Sequence, residues 1–183
     1  MNRAFSTQVF LRAVGENPDA RIIEGVATTG SEDRLGDYVL PMGAKYALPI
    51  PLLWMHDAAR PIGEVIKAGV DEKGVAFRAK LAHIEEDGAL KARLEEAWQS
   101  IKAGLTKAVS IGFRPIEMEP RKDGKGGMIF REWEWLELSV CSIPANADAA
   151  ILNIKAYDEE QRRLHLPKAH VVRLDRPIRA PGA

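Results

Sequence analysis

Residues 107–143 read KAVSIGFRPIEMEPRKDGKGGMIFREWEWLELSVCSI. The middle of this stretch, residues 120–127, is turn chemistry: a proline, an Asp-Gly pair and two further glycines. Its flanks therefore predict a long antiparallel hairpin, residues 107–118 paired with 128–143. Successive strand side chains point to opposite faces. Val109, Ile111 and Phe113 then share one face, and Ala108, Ser110 and Gly112 the other. On the partner strand Leu136, Leu138 and Val140 share a face, which leaves Glu137 on the opposite one. A hairpin centred on Asp123-Gly124 sets Ser110 directly opposite Glu137. Directly opposed Cβ atoms lie only ~5 Å apart, so a third side chain needs more room between them. Pro115 and Pro120 cannot donate ladder bonds and imply a bulge or break. A bulge, or an offset of two residues, provides that room. Ser110 thus stands among small neighbours where a substrate carbonyl can approach. The competing reading is a hydroxyl on a solvated sheet face.

Outward from this hairpin, the first half of the chain reads as short strands. Residues 8–12 and 21–28 have β-rich composition and are separated by Gly15-Glu16-Asn17-Pro18. Residues 29–37 are loop-like, and Gly36-Asp37 precede Tyr38-Val39-Leu40. An apolar strand, Pro51-Leu52-Leu53-Trp54-Met55, ends at His56 and is followed by a loop, Ala58-Ala59-Arg60-Pro61. Residues 62–70 and 75–82 flank the turn Asp71-Glu72-Lys73-Gly74 as a second hairpin. Leu90, Leu94, Ala97, Trp98, Ile101 and Leu105 recur at helical spacing, with Asp87 as N-cap and Gly104 as C′ residue. That helix packs on the sheet and needs no catalytic explanation. Residues 157–164 read as a charged, helical stretch, followed by Pro167, Pro177 and Pro181 among basic residues. The expected organisation is one domain over 1–156 and a basic, proline-containing tail over 157–183.

His56 is the histidine best placed for chemistry. At the end of an apolar strand it is held rigidly while its ring faces a cleft. Imidazole groups exchange protons near neutral pH, which suits one to take a serine proton and return it to a leaving amine. The plainer reading is a capping or surface histidine. His83 borders the polar lead-in to the helix, and His165 and His170 lie in the tail. Rival chemistries have no motif: there is no Gly-x-Ser-x-Gly elbow, no Gly-rich phosphate loop and no His-Glu-x-x-His helix. Cys141 reads as a packed, inert thiol.

The totals agree with an ordinary globular domain: 183 residues, 46% hydrophobic and 28% charged. The 26 basic and 26 acidic residues cancel, which argues against specific nucleic-acid binding. Six of the basic residues but only one acidic residue, Asp175, fall at 161–183, so a nucleic-acid contact through the tail is a rival reading. One cysteine excludes an internal disulfide framework and a multi-cysteine zinc site. No apolar run approaches the ~18 residues of a membrane span, and no signal core opens the chain. A soluble protein of a reducing compartment is expected, with no cofactor and no metal.

Taken in order, these pieces resemble the prohead (capsid maturation) proteases of HK97-type tailed phages and of gene transfer agents. Gly25-Val26-Ala27-Thr28, with Asp33 and Gly36-Asp37, is similar to that family's opening strand and loop. Pro51-Leu52-Leu53-Trp54-Met55-His56-Asp57, followed by Pro61-Ile62-Gly63, is similar to its histidine segment. Lys107-Ala108-Val109-Ser110-Ile111-Gly112-Phe113 is similar to its serine strand. Leu136-Glu137-Leu138-Ser139-Val140, with Pro144-Ala145-Asn146-Ala147-Asp148-Ala149, is similar to its closing motif.

The resemblance spans residues 8–155. It implies an α+β, mainly β fold: the small assemblin-like β-barrel flanked by helices that herpesvirus maturation proteases also use, often as a homodimer. It implies a serine endopeptidase with Ser110 as nucleophile and His56 as general base. Its substrate would be the major capsid protein, with its scaffold or delta segment. It would act inside the assembling prohead, in the cytoplasm of the host or producing cell, with no membrane partner. In the herpesvirus relatives the third triad member is a second histidine shortly after the serine. Glu137, 27 residues past Ser110, occupies the comparable place, with His83 and Asp57 as alternatives. The same relatives imply oxyanion donors a few residues later, the backbone N–H groups of Ala145 and Asn146, although Pro144-Ala145-Asn146 also reads as the turn that ends the hairpin. The alternative is a catalytically inactive capsid-assembly or scaffolding protein that keeps the fold.

Overall fold

A computed structural model describes residues 21–155. The expectations for residues 8–12, for the helix at 157–164, and for the tail with His165 and His170 lie outside the described residues.

In chain order the elements are β1 (Arg21–Thr29), β2 (Tyr38–Val39), β3 (Ala44–Lys45), β4 (Ile50–Trp54), β5 (Asp57–Asp71), β6 (Gly74–Leu81), α1 (Ala89–Lys102), β7 (Ala108–Pro120), β8 (Met128–Cys141) and β9 (Ala150–Lys155). The seven longer strands close on themselves in the order β8-β4-β5-β6-β1-β9-β7, with β7 returning to β8. β2 and β3 add short parallel pairings to β8. The expected mainly β barrel is therefore present, with one α-helix among the described residues. Closure leaves few backbone donors and acceptors exposed along strand edges.

Alternation fills the barrel. Ile23, Leu52, Ile62, Val65, Leu138 and Val140 have no solvent exposure. Strands approach closely where a side chain is missing: a Cβ on Gly63 would collide with the Lys80 carbonyl across the β5–β6 ladder. Leu94, Ala97, Trp98 and Ile101 bury one side of α1 against the core. Arg21 pins the helix to β1, pairing with Glu95 and lying 5.7 Å over the Trp98 ring.

Several expectations need correction. Leu90 and Leu105 stay exposed; Leu105 comes after Gly104, whose positive φ of 69° ends the helix and turns the chain away. Asp87 is not the N-cap. Gly88 takes that position, and the Asp87 carboxylate instead accepts a bond from Lys91 Nζ at 2.7 Å. The loop expected at residues 58–61 is the start of β5, which leaves β4 immediately at Asp57.

The long hairpin is β7–β8, but its register differs from the simple centring on Asp123-Gly124. Ser110 faces Ser139, and Gly112 faces Glu137. Ser110 and Glu137 thus share a face with an offset of two residues. Beyond them Phe113 faces Trp135, so Leu136 is an extra, unpaired residue. Such a bulge reverses the alternation. It turns Trp135 and Trp133 inward and leaves Leu136, expected in the core, 48% exposed. The inward side of the hairpin is closed by Phe113, edge-on to Phe130 at 5.0 Å and Trp133 at 5.6 Å. No helix among the described residues is long and apolar enough to cross a membrane.

Candidate active site

β8 lies between β7 and β4, and Ser139 is paired with Ser110 on one side and Leu53 on the other. One strand therefore sets the register both of the segment carrying Ser110 and of the segment leading to His56.

Ser110 sits within the β7 ladder and is only 5% exposed, so it is not a solvated hydroxyl. Beside it lies a shallow cavity of about 30 Å³, lined in part by Thr28, Asp33, Ile111, Ala145 and Asn146.

His56 is not at the end of a strand before a loop, as expected. It is the second residue of a tight turn, Met55-His56, that joins β4 to β5 while Trp54 pairs with Asp57. Both residues have positive φ, 55° and 60°. This mirror-image turn suits the right-handed twist of a hairpin, but the left-handed conformation costs ~1–2 kcal/mol per residue without glycine. Bonds from β8 hold it: the Met55 N–H donates to the Val140 carbonyl at 3.0 Å, and the His56 N–H to Ser139 Oγ at 3.2 Å.

Glu137 reaches the imidazole. Its Oε1 lies 3.3 Å from His56 Nδ1, and its Oε2 accepts a bond from Ser139 Oγ at 2.8 Å. Its backbone carbonyl accepts the Trp135 indole N–H at 2.7 Å. The carboxylate lies over the Cα of Gly112, where a Cβ would fall 2.6 Å from Glu137 Cγ. Any side chain at position 112 would therefore displace Glu137 from this place. Burial pushes the Glu137 carboxyl above the ordinary carboxylate range, opposed by the Ser139 hydrogen bond and by His56.

The structure thus brings Glu137 to His56, while the alternatives are elsewhere. Asp57 accepts the Ala59 N–H at 2.8 Å, and His83 is exposed in the segment after β6. Among the described residues no hydrogen bond joins Ser110 to His56; such contacts often tighten only when substrate binds. With Nδ1–H directed at the carboxylate, Nε2 is left free to accept a proton.

Ala145 and Asn146 lie on the segment after β8 and line the same cavity as Ser110. Among the described residues their N–H groups have no hydrogen-bond acceptor. The segment is fixed by contacts that the sequence reading missed. Arg34 donates its backbone N–H to the Ala145 carbonyl at 3.0 Å and its guanidinium to the Pro144 carbonyl at 2.6 Å. Asn146 Nδ2 donates to Thr28 Oγ1, to Thr29 Oγ1 and to the Thr29 carbonyl at 3.1–3.3 Å. Cys141 is buried, and burial pushes its thiol up to about 11, which keeps it unreactive. Ser139 was also missed; its one signal was its place two residues from Glu137, on the same strand face.

A family model described as caudovirus prohead serine protease matches residues 13–163. The chain is 47% identical over 174 residues to the capsid polyprotein of Pseudomonas phage PAJU2, covering 94% of this chain and 26% of that protein. It therefore spans about a quarter of the length of that relative. It is 32% identical to the prohead protease of Escherichia phage T5, covering 81% of this chain and 72% of that protein. To the prohead protease of Enterobacteria phage HK97 it is 30% identical, with 75% and 61% covered. Among solved structures, varicella-zoster virus protease aligns at 16% identity with a TM-score of 0.46, over 73% of this chain and 63% of that one. KSHV protease in complex with a hexapeptide phosphonate inhibitor aligns at 10% identity and a TM-score of 0.47, over 73% and 64%. With the family model matched over most of its length, the chain belongs to the caudovirus prohead serine proteases.

Proposed function

We propose that the chain is the serine endopeptidase of capsid maturation, with Ser110 as nucleophile, His56 as general base and Glu137 as the group that orients the base. The observation that carries this reading is the 3.3 Å contact between Glu137 Oε1 and His56 Nδ1, on the strand face that Ser110 shares. Ser110 Oγ attacks the scissile carbonyl carbon as His56 Nε2 takes its proton. The tetrahedral oxyanion is held by the N–H groups of Ala145 and Asn146, whose lack of acceptors among the described residues and whose fixed carbonyls support the role. Each such donor is worth ~2.7–4 kcal/mol in other serine proteases. Collapse breaks the C–N bond, and His56 gives its proton to the leaving amine. Water, activated by the same imidazole, then hydrolyses the acyl-enzyme. No cofactor or metal enters these steps.

The substrate in this reading is the major capsid protein with its scaffold or delta segment, cut inside the assembling prohead. Two relatives named prohead protease and one named capsid polyprotein support that choice. A homodimer, which the family resemblance adds, is checked by sedimentation velocity.

Labelling with a fluorophosphonate, followed by peptide mapping, tests the reading. Covalent attachment at Ser110 is expected. An inactive assembly protein with the same fold would remain unlabelled, and that outcome overturns the proposal.

A further inference from the structure

Ser139 has no solvent exposure and faces Ser110 across the β7–β8 ladder. A buried hydroxyl is costly unless bonded, and both bonds made by this one end on the groups assigned to catalysis. Its hydrogen goes to Glu137 Oε2 at 2.8 Å, and its oxygen accepts the His56 N–H at 3.2 Å. If packing alone were needed at this position, alanine or valine would fill it without those demands.

The two bonds do different work. The terminal torsion of a glutamate is broad, so a carboxylate bonded through one oxygen can swing. Ser139 takes the second oxygen and leaves Oε1 aimed at His56 Nδ1. The bond to the His56 N–H ties down a turn in which Met55 and His56 both hold unfavourable left-handed conformations. We propose that Ser139 is a positioning residue of the proteolytic site, its hydroxyl holding both the Glu137 carboxylate and the backbone of the turn that presents His56. The inference rests on the catalytic reading above.

The hydroxyl also favours the charged carboxylate against the burial that pushes Glu137 upward. The titratable group that acts on Glu137 is His56 from the β4–β5 turn, while Glu137 in turn helps to raise the Cys141 thiol further along β8. The facing positions of β7, Ser110 and Gly112, carry no charge. Loss of the hydroxyl should therefore let Glu137 keep its proton to higher pH.

The experiment compares wild type with Ser139→Ala, measuring kcat and KM across pH and the rate of fluorophosphonate attachment at Ser110. The alanine variant should lose roughly 10–100-fold in kcat, the range expected for a bond to a charged group. KM should change little, and the acid limb of the profile should move to higher pH. In a Glu137→Gln background the same change should cost clearly less, because part of its effect runs through the carboxylate. A hydroxyl with only a structural role would lower Tm, add independently to Glu137→Gln and leave the acid limb in place. Ser139→Cys, close in volume and a weak donor, serves under reducing conditions if the alanine variant does not fold. A limb shift in the same direction supports the proposal, and an unmoved limb overturns it. If wild type is labelled at Ser110 and Ser139→Ala matches it in rate and profile, the positioning role fails while the catalytic reading stands. If wild type is not labelled at Ser110, the catalytic reading itself fails.

Discussion

Ser110 sits inside a strand, where ladder bonds to β8 set its place, whereas His56 occupies a left-handed position in a two-residue turn and is placed by side chains. The two halves of the proposed reaction centre are thus built by different means. A residue in a ladder keeps its place when nearby side chains change, because the backbone carries the geometry. A residue on a strained turn is only as well placed as the few bonds that hold the turn. Changes around Ser110 should act through the chemistry removed, and changes around His56 should act by degrees, through position.

The largest effect should come from the ladder side. Ser110→Ala should abolish cleavage of co-expressed capsid protein, by ~10⁴-fold or more, with Tm and circular dichroism unchanged. Retained activity in the purified variant would break the comparison outright.

On the turn side, Glu137→Gln should lower kcat/KM by roughly 10–10³-fold, because an amide can present an N–H to the ring and favour the wrong tautomer. The pH profile supplies the sign. The Glu137 carboxyl is held above its ordinary range by burial, so it takes up a proton at higher pH than an exposed glutamate and activity falls with it. Removing that carboxyl removes one proton from the acid limb and a negative charge from beside the imidazole. Both changes should move the limb to lower pH.

Gly112→Ala separates position from chemistry, since it leaves every proposed catalytic group intact. Its Cβ would fall within the Glu137 side chain and must push the carboxylate off Gly112. We expect a loss of about 10–100-fold in kcat that nearly vanishes in a Glu137→Gln background. Additive losses would show that Gly112 acts through the strand rather than through Glu137.

The smallest effect should be a gain. Met55 is 38% exposed with φ of 55°. Met55→Gly removes the left-handed penalty, partly offset by glycine's greater freedom in the unfolded chain. Tm should rise by about 1–3 °C, with kcat/KM within about two-fold of wild type. A fall in Tm would mean that the Met55 side chain contributes more than its conformation costs.

Where side chains alternate regularly, the sequence could be read through to the site. The β7–β8 hairpin, the shared face of Ser110 and Glu137, and the β5–β6 hairpin all follow from alternation between turn residues. What failed has a common cause. A bulge adds a residue without altering composition, so simple alternation sets Leu136 on the face of Leu138 and Val140; the two-residue offset of Ser110 from Glu137, by contrast, follows from the room a third side chain needs between them. The turn at Met55-His56 lacks the glycine or asparagine that usually marks such a turn, so a strand end followed by a loop was the simpler reading. Arg34 and Asn146 fix the segment after β8 through contacts across the fold, which leave no local mark.

The way the barrel closes has a consequence in time. β1 finds its partner β9 only at the far end of the described chain, with Ile22 opposite Lys155. The strand carrying Glu137 and Ser139 must pair with both β4 and β7 before His56 and Ser110 approach each other. Such distant pairings make folding slow relative to helical proteins of similar size. On a ribosome, then, the residues that precede β7 emerge as a chain without the proposed reaction centre. The proposed proteolytic centre would then assemble late in folding, when the last strands arrive.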